Sequence, residues 1–225
     1  MAESAPPPSG QLDCSSTGTT PAASQIIPVE DGQGAGSLQD DLARRFDVGY
    51  SPNTLLVTVQ DSARLVRGAF QGHAVGANSN SFRLSLNDSQ IRCRSNLPVR
   101  AWAYPAKRSP HPIRCFVDVL TFRDGAVAEE KREISRHRRP ILGTVTRLAG
   151  ENEGYSFEMS HDNFNPATGL RLSLTSKKSG AHVSVEGPAT LLLAANLLML
   201  TEGDRSKEAV GARLACGFLE ENAGR

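Results

Sequence analysis

The residues in this sequence best suited to binding chemistry are four arginines of a short basic run. The run covers residues 131–139, and its arginines are Arg132, Arg136, Arg138 and Arg139. A guanidinium group binds phosphate or carboxylate through two parallel hydrogen bonds and keeps its charge when partly removed from water. These four residues are therefore a candidate anion-binding site. The other interpretation is a solvated loop that balances acidic residues elsewhere in the chain.

The charge of the chain is unevenly distributed. The segment from Arg92 to Arg139 contains twelve basic and five acidic residues, whereas residues 1–47 contain two basic and seven acidic ones. The whole chain has a net charge of only +1 and a pI near 7.7. Dedicated nucleic-acid binders usually have a marked basic surplus. The charge pattern therefore favours an anionic membrane surface or an acidic protein as the partner, and not a nucleic acid.

The sequence has no recognisable pattern of an enzyme, a cofactor site or a metal site. Ser160, His161 and Asp162 are the residue types of a catalytic triad, but consecutive residues cannot converge on one point. The glycine-rich segment 32–36 has no strand before it, which a phosphate-cradling loop requires. The five histidines show no ligand spacing typical of zinc. We therefore expect a non-catalytic protein with no cofactor and no metal.

The cysteines and the N-terminal residues bear on the cellular compartment. Cys14, Cys93, Cys115 and Cys216 are far apart, unlike the dense cysteine pattern of small secreted domains. The chain starts with an acidic residue and prolines, not with the basic and apolar regions of a secretory signal, and it has no apolar stretch of membrane-spanning length. These features predict reduced thiols and a cytoplasmic protein. A Cys93–Cys115 disulfide is the alternative.

Short stretches of β-prone residues dominate the middle of the chain. In one of them Phe82, Leu84 and Leu86 alternate with Arg83 and Ser85, which is the period of a half-buried strand. Glycine, proline, asparagine and aspartate lie between the stretches, as in antiparallel sandwiches and barrels. The stretches expected as strands are 55–59, 81–86, 99–104, 113–120, 141–148, 155–159, 170–174 and 181–185.

One segment has the features of a helix. Proline at position 188 and glycine at position 203 bracket an almost wholly apolar run, as expected for a buried helix over residues 188–202. Residues 1–46 are rich in proline, serine and glycine and offer little apolar surface to offset the entropy of ordering. The predicted organisation is a disordered arm (1–46), a mainly β barrel or sandwich with a core helix (47–203), and a polar extension (204–225).

The apolar run and the strand before it resemble the tubby C-terminal-like superfamily, which includes the LURP-one-related proteins and the phospholipid scramblases. The similar stretch is His182 to Pro188 followed by Leu191 to Leu200. The resemblance covers positions near 50–203 and rests on architecture, without a diagnostic motif. It implies a closed β-barrel threaded by a hydrophobic helix, with basic residues of the barrel at phosphoinositide headgroups. Individual headgroup-binding positions have no counterpart in this sequence.

A second resemblance is to PilZ domains, the bacterial receptors for cyclic di-guanylate. Arg132 and Arg136 match the first part of the PilZ motif, in which two arginines are separated by three residues. The stretch from Asn163 to Gly169 is similar to the second part but is one residue too long and has Asn165 where the motif has serine. The leading functional prediction is a non-catalytic module that binds anionic lipid headgroups or an acidic protein. The alternative is a cyclic di-guanylate receptor.

Overall fold

The computed structural model describes residues 10–17, 23–31, 33–39, 44–51, 54–61, 66–72, 81–95, 112–124, 126–141, 144–162, 169–188, 195–202 and 208–218. Its first eight strands are β1 (Gly10–Thr17), β2 (Ser24–Val29), β3 (Gly34–Gln39), β4 (Arg44–Ser51), β5 (Thr54–Asp61), β6 (Val66–Gly72), β7 (Ser81–Leu86) and β8 (Ser89–Ser95). The other eight are β9 (Ile113–Arg123), β10 (Ala126–Arg138), β11 (Val145–Glu151), β12 (Tyr155–Asp162), β13 (Leu170–Ser176), β14 (His182–Gly187), β15 (Ala195–Glu202) and β16 (Glu208–Phe218). None of these described residues is helical.

The strands form two antiparallel sheets of eight strands each. Sheet 1 has the order β11-β12-β13-β14-β7-β8-β1-β2, and sheet 2 has the order β10-β9-β16-β15-β6-β5-β4-β3. The edges of the two sheets meet on both sides, because β2 contacts β3 and β10 contacts β11. The mainly β, antiparallel architecture expected from the sequence is therefore confirmed. It is consistent with the expected barrel or sandwich.

Glycines allow the close approach of the two sheets at both edges. A Cβ atom on Gly34 of β3 would lie 2.6 Å from the carbonyl oxygen of Pro28 on β2. At the other edge, a Cβ on Gly150 of β11 would lie 2.6 Å from the ring of Phe157 and 2.8 Å from the side chain of Ile134 on β10. Real Cβ atoms do not come so close to other atoms, so only glycine fits these two positions.

The core lies between the sheets and is built from alternate residues of each strand. In β7 the residues Phe82, Leu84 and Leu86 are buried, while Arg83 and Ser85 on the other face are half-buried. The same alternation occurs in β13 and β14. Burial of one apolar face per strand provides the main stabilisation and fixes the register, because a slip of one residue would turn the apolar face outwards.

The prediction of a helix over residues 188–202 is wrong for residues 195–202, which the structure describes. Residues 195–202 form β15, which pairs with β16 on one side and β6 on the other, and residues 189–194 lie outside the described part. Leu197 and Met199 of β15 face the core, while Leu198 and Leu200 are half-buried on the outer face. A strand that is apolar on both faces has the same hydrophobic pattern as a buried helix.

The prediction of a disordered arm over residues 1–46 is also wrong for its described residues. They form β1, β2, β3 and the start of β4, in both sheets. Leu12, Ile27, Val29 and Leu38 are at most 4% exposed. Most of the large apolar residues in the described part of this segment lie at alternate positions of their strands and reach the core, whereas Ile26 is exposed. Part of the predicted polar extension, 204–225, is likewise a strand, β16, between β15 and β9.

The four cysteines form two disulfides, so the prediction of reduced thiols is wrong, as is the alternative Cys93–Cys115 bridge. Cys14 of β1 is joined to Cys93 of β8, and Cys115 of β9 is joined to Cys216 of β16. Each pair occupies directly opposed positions of neighbouring strands. The cysteines are far apart in sequence because the strands that pair are far apart, and sequence spacing alone does not reveal this.

Candidate functional site

The arginines predicted as an anion site lie on or just after β10, the edge strand of sheet 2. Every residue of this strand is exposed except Ile134. The strand also contains Glu129, Glu130 and Glu133, and Lys131 forms an ion pair with Glu133 at 2.8 Å. A charged edge strand of this kind prevents pairing with other chains. The surroundings of the predicted site are therefore mixed in charge.

Pairing with β9 places the predicted site residues on different faces of sheet 2. Arg132 lies opposite Asp118, whereas Arg136 and Arg138 lie opposite the inward-facing Cys115 and Ile113. A register shift between Arg132 and Ile134 accompanies this change of face. Paired residues share a face, so the structure does not bring Arg132 together with Arg136 and Arg138. Arg139 follows the end of the strand.

Arg132 is engaged by groups of its own chain. Its Nε donates a hydrogen bond to Asp118 at 3.0 Å, and its guanidinium carbon lies 3.8 Å from the centre of the Phe116 ring. Asp118 also accepts a hydrogen bond from Arg213 of β16 at 2.8 Å, and Arg213 pairs in addition with Glu130. This arrangement is a structural ion-pair network on the outer face of sheet 2.

Asp118 is the most deeply buried carboxylate of this network, with only 1% of its surface exposed. Burial tends to raise the pKa of Asp118, but the hydrogen bonds and charges of Arg213 and Arg132 outweigh burial and hold the pKa below its ordinary value. A carboxylate with a lowered pKa stabilises the folded state above its unfolded pKa of about 3.9 and loses this contribution as the pH falls.

We expect Asp118→Asn to lower the free energy of unfolding by about 2 kcal/mol at neutral pH, because charged hydrogen bonds are replaced by weaker ones. The difference from the native protein should shrink as the pH falls below about 4, because the unfolded chain then binds a proton that folded Asp118, with its lowered pKa, resists. Urea unfolding at several pH values measures both quantities. Glu158→Gln, which removes an exposed carboxylate of β12, is the control. A difference in the free energy of unfolding that stays constant down to pH 2 would contradict the lowered pKa of Asp118.

The wider basic segment is divided between the two sheets. Arg92 and Arg94 belong to β8 of sheet 1, whereas Arg114 and Arg123 belong to β9 of sheet 2. The remaining basic residues before β9 are at positions 100, 107 and 108, outside the described residues, as is the strand expected over 99–104. The surplus of charge along the sequence therefore does not correspond to one basic surface among the described residues.

A different group of arginines is aligned on the outer face of sheet 1. Neighbouring strands pair in such a register that one row crosses six strands, from β11 to β8. In order, its members are Arg147, Ser160, Arg171, Glu186, Arg83 and Arg92. We call this row the arginine stripe. With about 4.8 Å between strands it is roughly 24 Å long.

Two arginines of the stripe are ion-paired and two are not. Glu186 pairs with Arg171 at 3.1 Å and with Arg83 at 3.5 Å. Arg147 and Arg92, at the two ends of the stripe, have no ion-pair or hydrogen-bond partner for their side chains within the described part of the chain. The end arginines can therefore bind an external anion without giving up a bond within the protein.

The stripe borders a second row made mostly of hydroxyl groups. Ser173, Ser184 and Ser85 lie side by side on β13, β14 and β7, and Glu158 precedes them on β12. The parts of both rows that lie on β11, β12, β13 and β14 line a groove of about 590 Å³, whose walls include Arg147, Glu158, Arg171, Ser173, Ser184 and Glu186. Guanidinium, hydroxyl and carboxylate groups together allow the groove to bind a ligand that carries both anionic groups and hydroxyls.

The sequence contains a signal for this stripe. The stretches from Ser81 to Leu86 and from Gly169 to Leu174 share an arginine and a serine at corresponding outward positions between apolar residues. Both stretches are strands, and they flank β14. The alternation identifies the strands and the face on which Arg83 and Arg171 lie. It does not reveal that the two strands are near neighbours, which depends on long-range pairing.

The other candidate residues do not form a reactive cluster. Ser160 and Asp162 lie on the outer face of β12, whereas His161 is fully buried on the inner face, with its ring centre 5.7 Å from that of Phe218. The described residues contain no group of three or more metal-ligating side chains. They also include no helix that could cross a bilayer.

No protein-family model, curated protein or solved structure matches this chain. Family membership is therefore not assigned, and no relative indicates a catalytic activity. The resemblances to the tubby-like superfamily and to PilZ domains stay predictions. The described structure lacks the core helix that carried the first resemblance, and the second part of the PilZ motif, from position 163 to position 168, is outside the described residues.

Proposed function

We propose that this protein is a non-catalytic binding module for an anionic ligand and that its site is the arginine stripe of sheet 1. The supporting observation is the register, which aligns four arginines with a single glutamate across six strands. The predicted site on β10 supports the proposal less well, because its arginines lie on two faces of the strand and Arg132 is bonded to Asp118.

Anionic lipid headgroups and acidic proteins, which the sequence predicts as ligands of the basic run 131–139, remain ligand classes for this site. Arginine suits either class, because its fork of N–H donors matches phosphate and carboxylate oxygens. The groove beside the stripe gives such a ligand hydroxyl groups to contact as well. No contact among the described residues favours a cyclic dinucleotide over these classes.

The cytoplasmic location also stays a prediction, and the two disulfides favour a different proposal. All four cysteines are paired. Stable structural disulfides are typical of oxidising compartments and rare in the cytoplasm. We therefore propose an oxidising compartment for this protein.

Two double variants distinguish the stripe from the β10 site. Arg92→Gln with Arg147→Gln removes two unpaired cations of the stripe, and Arg136→Gln with Arg138→Gln removes two exposed cations of β10. We expect the first pair to weaken binding to an anionic probe about thirtyfold, at about 1 kcal/mol per cation, and the second pair to have little effect. Both variants should stay folded, because exposed charges contribute little to stability and the half-buried Arg92 has no ion pair within the described residues.

The probes are phosphatidylserine liposomes, polyglutamate and dextran sulfate, each titrated at low and at physiological salt. Binding should fall with salt, since exposed charges are screened beyond about 8 Å at physiological ionic strength. If only Arg136→Gln with Arg138→Gln loses affinity, the anion-binding site is the one on β10 that the sequence predicts. If the native protein binds none of the probes, the proposed function is wrong.

A further inference from the structure

We propose that the ligand of the arginine stripe is a linear acidic polysaccharide that lies across the strands of sheet 1. This inference rests on the proposed function and narrows its ligand class. It is supported by the stripe, the serine row beside it and the acidic residues around it. The arginines extend in one line across six strands, and the unpaired ones are at the two ends.

The length of the stripe favours an extended ligand over a small anion. Arg147 and Arg92 are separated by five strand spacings, or roughly 24 Å. One phosphate, sulfate or headgroup can contact only one of them. A chain with repeated anionic groups can reach both, and the second contact is then strengthened by the high effective concentration that linkage provides. Affinity should therefore depend on ligand length.

Acidic residues on both sides of the stripe disfavour a flat anionic surface. Glu158 lies in the row next to the stripe on one side, and the next row on the other side contains Asp162, Asp13 and Arg94, which lies opposite Asp13. A bilayer of anionic lipids would face these carboxylates as well as the arginines, and like charges repel. A single chain can follow the stripe and avoid them.

The side chains around the stripe match a ligand that is rich in hydroxyl groups. Ser160, Ser173, Ser184 and Ser85 can each donate and accept a hydrogen bond, and the flanking carboxylates can accept bonds from sugar hydroxyls. Within the described strands from β11 to β8, no phenylalanine, tyrosine or tryptophan lies on the outer face. Single-stranded nucleic acids are usually bound by stacking on aromatic rings, so this face does not suit them.

The experiment compares ligands of one chemistry and different lengths. Binding of the full chain to polygalacturonate oligomers of increasing length is measured by calorimetry, with galacturonate monomer and uncharged dextran as references. We expect affinity to increase at least tenfold between the monomer and an oligomer that spans the stripe. The gain should disappear in Arg92→Gln with Arg147→Gln and persist in Arg136→Gln with Arg138→Gln.

Phosphatidylserine liposomes and oligothymidylate are the competing probes. Binding of liposomes or oligothymidylate through the stripe arginines, without binding of the polysaccharide, would overturn this inference and leave the proposed function in place. Polysaccharide binding that does not depend on length, or that survives the stripe substitutions, would also overturn it. If none of the anionic probes binds the native protein, the inference and the proposed function both fail.

Discussion

Replacing Leu197 by aspartate is expected to prevent folding, whereas the same change at the adjacent Leu198 should leave a folded protein. Leu197 is fully buried on the inner face of β15, and Leu198 is half-buried on the outer face of the same strand. An unpaired charge in the core costs several kcal/mol, which is comparable with the total stability of about 5–15 kcal/mol of a domain. On the outer face the carboxylate remains in contact with water.

Soluble expression and thermal unfolding of both variants measure this difference. The comparison also distinguishes a strand from the helix expected from the sequence, because a helix buried on all sides would make both substitutions equally damaging. Leu197→Ala and Leu198→Ala are a milder pair, to be used if Leu197→Asp does not accumulate. We expect Leu197→Ala to lower the free energy of unfolding by about 2–5 kcal/mol and Leu198→Ala to lower it by less. Equal losses at the two positions would contradict the alternating pattern of β15.

The sequence predicts the local elements of this fold better than their partners. Alternation identifies β7 and β13 correctly, since their apolar residues repeat at every second position. The antiparallel class follows from the number of such stretches and the turn residues between them. The order of strands does not follow, because β14 pairs with β7 and β16 with β9 across long sequence separations. Local periodicity contains no information about such pairing.

The incorrect predictions of a helix and of a disordered arm have a common physical cause. Pairing between strands in the folded protein outweighs the local conformational preference of each segment. The leucines and alanines of residues 195–200 favour a helix in isolation, but pairing on both sides makes the segment a central strand. The N-terminal segment has too few apolar residues to fold alone, yet each of its strands needs a buried residue only at every second position. Composition alone indicates neither outcome.

The sequence predicts only part of the candidate site, because strand pairing decides which residues lie side by side. The density of arginines in residues 131–139 is visible along the chain, but the strand directs these arginines to two faces. The arginine stripe is assembled from residues as far apart as Arg83 and Arg171, which pairing through Glu186 brings into one row. A binding surface on a sheet is defined across strands, so a search along the chain finds its parts but not their alignment.

Reducing both disulfides is expected to destabilise the protein by an amount comparable with its whole stability. The bridges join residues that are 79 and 101 positions apart in the sequence. Closing a loop of about that length in the unfolded chain is worth roughly 4–5 kcal/mol in the chain-entropy treatment, with 2–4 kcal/mol measured typically. Each bridge also links strands that no short turn connects, β1 to β8 and β9 to β16.

Guanidinium unfolding with and without a thiol reductant measures this effect, and thiol titration of the unfolded, unreduced protein should find no reactive cysteine. The control is a variant in which all four cysteines are replaced by alanine, whose unfolding should not respond to the reductant. Cys14→Ala with Cys93→Ala and Cys115→Ala with Cys216→Ala separate the two bridges. Each pair should lower the free energy of unfolding by about 2–5 kcal/mol. Four reactive thiols in the protein purified without reductant would contradict both disulfides and remove the argument for an oxidising compartment.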